Sequence, residues 1–269
     1  MYAEERKNKI IRLLEKNGRV DACELSKSLN TSRETIRRDL KDLSERGLLV
    51  KTHGGAIAAE NSSVWQNIPI SHRESKNAQI KYDICAFALQ YIHDSDQIFL
   101  DNSSTVANLI KCIPKSLHIT LITNSIKILL EISKYSSTNW ITLHTGGAFV
   151  PNTLSTNGYL AMNNLNIFRP TKAFLSSHGI DKDLKVTDSY LDDVELKDFI
   201  IKSAKETFLL VDHSKLNRSG VVQIVDVNKL DHVITDSKAD PVFLESLRKE
   251  GIDVLIAPPT KSTNIRSDA

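Results

Sequence analysis

The stretch "SRETIRRDLKDLSERGLLVKTHGGA", Ser32–Ala56, decides how the first part of the chain folds. Ile36, Leu40 and Leu43 recur at helical spacing and define one buried stripe. At about 100° per residue, the opposite face is centred on Glu34, Arg38 and Lys41, with Thr35 and Arg37 at its flanks. Ser32 or Thr31 can cap this helix by accepting a bond from a free backbone N–H, and Thr31 with Glu34 has capping-box spacing. Gly47 ends it. Leu48–Thr52 then reads as a strand, His53-Gly54-Gly55 as a turn and Ala56–Ala58 as a returning strand, which together make a wing. A helix with hydroxyls and arginines on its exposed N-terminal half suits the major groove of duplex DNA. Arginine can grip guanine O6 and N7 with two bonds, while hydroxyls and the helix N-terminus hold phosphates. The candidate DNA-facing residues are therefore Ser32, Arg33, Glu34, Thr35, Arg37, Arg38 and Lys41, with Lys51 and His53 on the wing.

Upstream, Ile10, Ile11, Leu13 and Leu14 form the apolar stripe of a helix from Glu4 to Lys16, which "NGRV" (Asn17–Val20) breaks. A second short helix, Asp21–Leu29, buries Ala22, Leu25 and Leu29. Two short helices, a capped arginine-rich third and a Gly-Gly wing are the ordered parts of a winged helix-turn-helix. The formal net charge is only +2, but residues 1–60 hold 13 lysines and arginines against 10 acids. A basic end on a near-neutral body permits a DNA contact without requiring one.

Other functions find little support. Cys23, Cys85 and Cys112 are far apart and lack metal-ligand spacing, so they read as reduced packing thiols. The histidines are scattered, and no metal or cofactor is expected. "MYAEERKNKI" is charged, and no apolar run approaches about 18 residues, so a cytoplasmic protein with no membrane role is expected.

"ENSSVWQNIP" (Glu60–Pro69) is polar and aperiodic and reads as a connection, with Trp65 packing at a junction. A long helix is expected over Ser71–Ile92. Short apolar runs then alternate with helical patterns. The strand candidates are Gln97–Leu100, His118–Thr123, Trp140–Thr145, Lys172–Ser176, Thr207–Val211, Val221–Val225, Val233–Thr235 and Val254–Ile256. Such alternation indicates a largely parallel sheet covered by helices, an α/β domain in which ligands bind beyond the carboxyl ends of strands. Polar residues sit at those ends. Asp101, Ser103, Ser104 and Thr105 lead into a helix starting near Val106 and could hold an anion. Asn124 and Ser125 follow the next strand, and Gly146 and Gly147 the third, where glycine lets backbone approach a ligand. Asp212 and Lys215 follow a later one, while "VELK" puts Glu195 and Lys197 on a helix. The organisation expected is 1–59 reader, 60–70 linker, 71–260 sensing domain and 261–269 polar tail.

"SRETIRRDLKDLSERGLLVKTHGGA" resembles the DeoR family of bacterial transcription regulators, and the resemblance runs over nearly the whole chain. It implies a repressor that binds an operator as a dimer or tetramer. The second half resembles the family's sensor domain, which is similar in fold to ribose-5-phosphate isomerase. This implies that a phosphorylated sugar or related metabolite binds at Asp101–Thr105, with Asn124, Gly146, Gly147, Lys197 and Lys215 lining the pocket. The family commonly has glycine where Ser103 stands, and glycine within the stretch "FLSSHGI" holding Ser176 and Ser177. A competing expectation is a sugar-phosphate enzyme with an accessory DNA-binding domain, in which Asp101, Asp212, Glu195 and Lys197 would supply acid/base groups.

Overall fold

The computed structural model describes residues 3–17, 19–45, 48–52, 54–58, 70–135 and 137–260. The expectations for Gly47, His53, Trp65, the connecting segment 60–69 and the tail 261–269 lie outside these residues. The chain divides into two compact units, residues 1–76 and 77–269.

In the first unit, α1 (Ala3–Asn17), β1 (Arg19–Asp21), α2 (Ala22–Ser28), α3 (Arg33–Glu45), β2 (Leu49–Lys51) and β3 (Gly55–Ala58) surround one core, and α4 (Ile70–Ser75) follows. Ile10 and Leu14 from α1 meet Leu25, Ile36, Leu40 and Leu43 from α2 and α3, closed by Leu49 and Ala56 of the wing. Asp21 caps α2 through bonds from the backbone N–H of Cys23 and Glu24 at 2.7 and 3.0 Å. The turn into α3 places Asn30 at φ 47°, a left-handed conformation that Asn tolerates. Arg6 of α1 grips Asp39 of α3 with both Nε and Nη2, at 2.5 and 3.0 Å, an inter-helix tie whose acid is only 4% exposed.

Two readings need correction here. The capping box does not form: Thr31 Oγ1 donates to the Leu29 carbonyl, and Ser32 Oγ instead accepts from Thr35 N–H at 3.1 Å. The segment expected only to break α1 also contributes a strand. β1 pairs antiparallel with β3, which pairs with β2, giving a three-stranded wing sheet in the order β1-β3-β2. Gly55 makes that pairing possible, since a Cβ there would lie 1.9 Å from the Val20 carbonyl oxygen.

The second unit runs α5 (Ala78–Ala88), β4 (Gln97–Leu100), α6 (Leu109–Cys112), β5 (Ile119–Thr123), α7 (Ile126–Tyr135), β6 (Trp140–His144), β7 (Ala148–Val150), β8 (Ser155–Asn157), α8 (Tyr159–Leu165), β9 (Lys172–Leu175), β10 (Gly179–Ile180), β11 (Lys185–Asp188), α9 (Leu191–Ser203), β12 (Glu206–Leu210), β13 (Val222–Asp226), β14 (His232–Asp236), α10 (Pro241–Lys249) and β15 (Asp253–Ala257). Seven strands form one parallel sheet in the order β15-β14-β12-β9-β4-β5-β6. Strand side chains alternate between two cores, as a period of two requires. Phe99 and Leu209 enter the core under α9 and α10, whereas Ile98, Leu100, Phe208 and Leu210 enter the one under α5, α6 and α7.

The chain starts this sheet in the middle, at β4. It builds outward through β5 and β6, then returns to the other side of β4 with β9. Strand order therefore reverses between β4 and β9, and the crevice beyond their carboxyl ends is where such sheets hold ligands.

The expected helix over Ser71–Ile92 is interrupted. Asn77 stands at φ 54° between α4 and α5, and its side chain reaches Asp212 Oδ1 at 2.9 Å. The strand expected at Val221–Val225 exists as β13, but it pairs antiparallel with β11 in a small separate sheet, β10-β11-β13, because two chain reversals precede it. The β7–β8 hairpin was also not expected.

Candidate DNA-reading face and sensor pocket

Along α3, residues Ser32, Arg33, Glu34, Arg37, Arg38 and Lys41 are exposed and Thr35 is half-buried, as the helical spacing requires. The Ser32 cap also holds Thr35 Oγ1 at 2.8 Å, so the hydroxyls of the first turn are fixed. Arg33 Nη2 rests 2.8 Å from Cys23 Sγ. Among the described residues Arg38 pairs with Glu34, at 3.7 Å, and its side chain is 80% exposed. Arg33 and Arg37 line a groove of about 470 Å³ whose other wall carries Lys51, Thr52 and Gly54 of the wing. Three cations on one concave face, between a helix and a hairpin, present the charge that a phosphate backbone attracts. Ser32→Ala should cost about 0.5–2 kcal/mol through the lost cap. Urea unfolding followed by helical circular dichroism checks this.

At the crevice between β4 and β9, Asp101 is fully buried. Its carboxylate accepts from Ser103 N–H at 3.0 Å and Ser176 N–H at 2.8 Å, so it joins the two strand ends that flank the reversal. Lys197 of α9 completes the junction. Its ammonium lies 3.5 Å from Asp101, 2.5 Å from Asp188 Oδ2 and 2.8 Å from the Ser176 carbonyl. Burial alone would lower the Lys197 pKa, but Asp188, Asp101 and Asp193 outweigh it and hold the amine firmly charged. Burial likewise pushes Asp188 up, yet Lys197 keeps it below the usual carboxylate range.

Beside this junction runs a chain of amides. Asn124 Nδ2 donates to Asn157 Oδ1 at 3.1 Å, Asn157 Nδ2 to Asp193 at 2.8 Å, and Asn102 Nδ2 to both Asp193 oxygens at 3.1–3.2 Å. Asp193, buried, has its carboxyl raised above the usual range chiefly by desolvation. Together with Thr153, Tyr190 and Leu191 it borders a cavity of about 190 Å³. Among the buried atoms with no hydrogen-bond partner in the described residues are Asn124 Oδ1, in this chain of amides, and Ser177 Oγ, next to Ser176. An unsatisfied buried polar atom costs about 1–3 kcal/mol, so each is a natural place for a ligand hydroxyl.

The other expected residues fall into place unevenly. Ser104 Oγ accepts from Lys81 Nζ at 3.1 Å, and Ser103 Oγ from Val106 N–H at 3.1 Å. The helix expected near Val106 begins as a single 3-10 turn, Val106–Asn108, before α6. Asp212 accepts from Ser214 and Asn77 at the end of β12, next to Lys215. Gly146 and Gly147 both have positive φ, but a Cβ on Gly147 would meet Asn157 O at 2.6 Å and Ala161 Cβ at 2.9 Å. Glycine there serves the packing of the β7–β8 hairpin and α8. Glu195 is exposed and apart from this cluster.

The DeoR-like helix-turn-helix domain family matches residues 6–62, and the DeoR C terminal sensor domain family matches residues 76–237. The chain belongs to the DeoR family of transcription regulators. It is 32% identical to the uncharacterized HTH-type transcriptional regulator YulB of Bacillus subtilis, over 97% of this chain and 99% of that protein. It is 31% identical to the lactose phosphotransferase system repressor of Staphylococcus epidermidis, over 87% of this chain and 92% of that protein. Among solved structures it is similar to ribose 5-phosphate isomerase A from Methanocaldococcus jannaschii, at 18% identity and a TM-score of 0.38, over 52% of this chain and 55% of that chain.

As a DeoR-family protein the chain is a DNA-binding regulator, and the enzyme expectation is set aside. No helix among the described residues is long and apolar enough to cross a membrane. In this DeoR-family sensor, sequence reasoning missed Lys81, Asn102, Asn157, Asp188, Asp193 and Arg218. Only "DHSKLNR", which puts Arg218 three residues after Lys215, carried a usable signal.

Proposed function

We propose that this regulator represses an operon of carbohydrate metabolism and that a phosphorylated sugar or related metabolite sets its DNA affinity. α3 would enter the major groove, with Arg38 and Lys41 toward base edges and Arg33, Arg37 and Lys51 toward the phosphate backbone. The effector would lie in the crevice beyond β4 and β9, against Asp101–Thr105, Asn124, Lys197 and Lys215. The observation that carries the reading is the junction of Asp101, Ser176 and Lys197 at the one place where strand order reverses, beside two buried polar atoms with no partner. The lactose system controlled by one relative supports the carbohydrate assignment.

A symmetric dimer or tetramer fits this reading, because paired readers need half-sites about 34 Å apart, or a multiple of that. To release DNA, the effector must bind the two states of the protein unequally. The experiment is a fluorescence-anisotropy titration against a duplex from upstream of this chain's own gene, repeated with a panel of hexose and pentose phosphates. One member should shift the apparent Kd by about 5- to 150-fold. Unchanged DNA affinity with every phosphorylated sugar would remove the sensing role.

A further inference from the structure

The 34 residues from Tyr135 to Phe168 include no aspartate, glutamate, lysine or arginine, in a chain that is 25% charged. They supply β6, the β7–β8 hairpin and α8, and the Asn164 side chain ties α8 to the end of β6 through the Thr145 carbonyl at 2.8 Å. This stretch shows apolar surface to solvent: Ile141 is 61% exposed, Leu143 36%, Phe149 55%, Tyr159 81% and Leu160 62%. Exposed apolar side chains without charge among them are the composition of a protein–protein contact, not of a solvated face.

β6 is also an open edge. It is the last strand of the seven-stranded sheet, and no strand among the described residues pairs with its outer side. Thr145 N–H donates to the Thr123 carbonyl, and the Asn139 carbonyl accepts from Ile119 N–H. By alternation, Asn139, Ile141, Leu143 and Thr145 turn their backbone groups toward β5, while Thr142 and His144 turn theirs outward. The Trp140 carbonyl points outward too, its N–H being taken by Ser137. The opposite edge of the sheet is guarded, since β15 opens on Asp253 and runs into Pro258 and Pro259. β6 has no charge and no proline, and its register with β5 is unbroken.

We propose that β6 pairs antiparallel with β6 of a second copy of this chain about a two-fold axis at Thr142, joining two sensor sheets into one. The inference rests on the reading that readers act in pairs. In this register Thr142 faces its own copy and exchanges two hydrogen bonds with it. His144 N–H reaches the Trp140 carbonyl of the second copy, once on each side of the axis. Ile141 then faces Leu143 of the second copy at a non-hydrogen-bonded position, where side chains come closest. A two-fold contact must be complementary to itself, and this edge is: apolar meets apolar, and no like charges are brought together. A five-residue strand alone falls short of the roughly 800 Å² per partner that a stable interface needs, so Phe149 and the first turn of α8 would add area.

The test is sedimentation velocity of the full chain at micromolar concentration. Wild type should sediment as a dimer or a pair of dimers. Ile141→Lys sets a charge against Leu143 of the second copy. Thr142→Pro removes the outward donor and leaves the β5 side untouched, since proline is tolerated on an edge strand. Each should weaken the contact at least about thirtyfold and halve the assembly, with an unchanged far-ultraviolet circular dichroism spectrum. Val242→Lys, at a side chain 78% exposed on α10, should associate as wild type does. Under mild oxidation Thr142→Cys should form a disulfide-linked dimer, because directly opposed hydrogen-bonded residues have Cα atoms about 5.5 Å apart, within disulfide reach. Val242→Cys should not. An assembly that survives both Ile141→Lys and Thr142→Pro, or a Thr142→Cys chain that does not cross-link, would overturn the β6 contact and leave the pairing of readers standing. A wild-type chain that is monomeric at this concentration would overturn both.

Discussion

Lys197→Met should lower stability by about 3–5 kcal/mol, the loss expected when one partner of a buried ion pair is removed. Lys197 is 4% exposed and lies against Asp188 at 2.5 Å and Asp101 at 3.5 Å. Methionine keeps most of the volume, so the loss is electrostatic: two carboxylates are left in one dry site with no cation between them. The pH dependence should then reverse. In wild type Asp188 is held below its ordinary pKa, so its contribution is present above the unfolded value and is lost as pH falls through the folded one. In the variant that carboxyl is raised instead, so stability should recover as pH falls from 7 toward 5. Urea unfolding at the two pH values decides it. A loss below about 1 kcal/mol at pH 7, the size of an exposed pair, would mean that Lys197 is not the buried keystone described.

Arg38→Ala should weaken operator binding about ten- to hundredfold and leave the reader folded. Its side chain is 80% exposed, and its ion pair to Glu34 at 3.7 Å on the surface contributes little to stability. A bidentate base contact carries about 1–3 kcal/mol of discrimination. Loss of such a contact would relax sequence preference at one position. Loss of a phosphate contact would lower affinity evenly and reduce the salt slope by about 1. Anisotropy titrations with operator and scrambled duplexes separate the two. Unchanged affinity on both would put the DNA face elsewhere on the unit.

What the sequence revealed, and what it hid, follows from the range of the interactions. α3 was readable because Ile36, Leu40 and Leu43 repeat at helical spacing and Ser32 lies where a cap must. The inner parallel strands were readable because they are short apolar runs, such as Ile98–Leu100 or Phe208–Leu210, buried on both faces. β1 escaped notice because three residues carry no period and pair with a distant segment, Gly55–Ile57, whose close approach at Gly55 only the fold shows. The helix break at Asn77 escaped because its reason, a bond to Asp212, lies 135 residues away. The sensor cluster followed the same rule. Asp101 and the serines of its loop stand in one stretch and could be read together. Asp188, Asp193 and Arg218 come from separate elements and acquire meaning only where the sheet brings them to Lys197, Asn157 and His178.

The most direct test of the whole account is a salt series of anisotropy titrations on the full chain with duplex DNA from its own upstream region. The account predicts binding that tightens steeply as salt falls, with a log–log slope near −0.9 for each phosphate neutralised. Replacing Arg33, Arg37 and Lys51 together with alanine should make that slope shallower by about three such contacts. No measurable duplex affinity at low salt, or an unchanged slope in the triple variant, would contradict it.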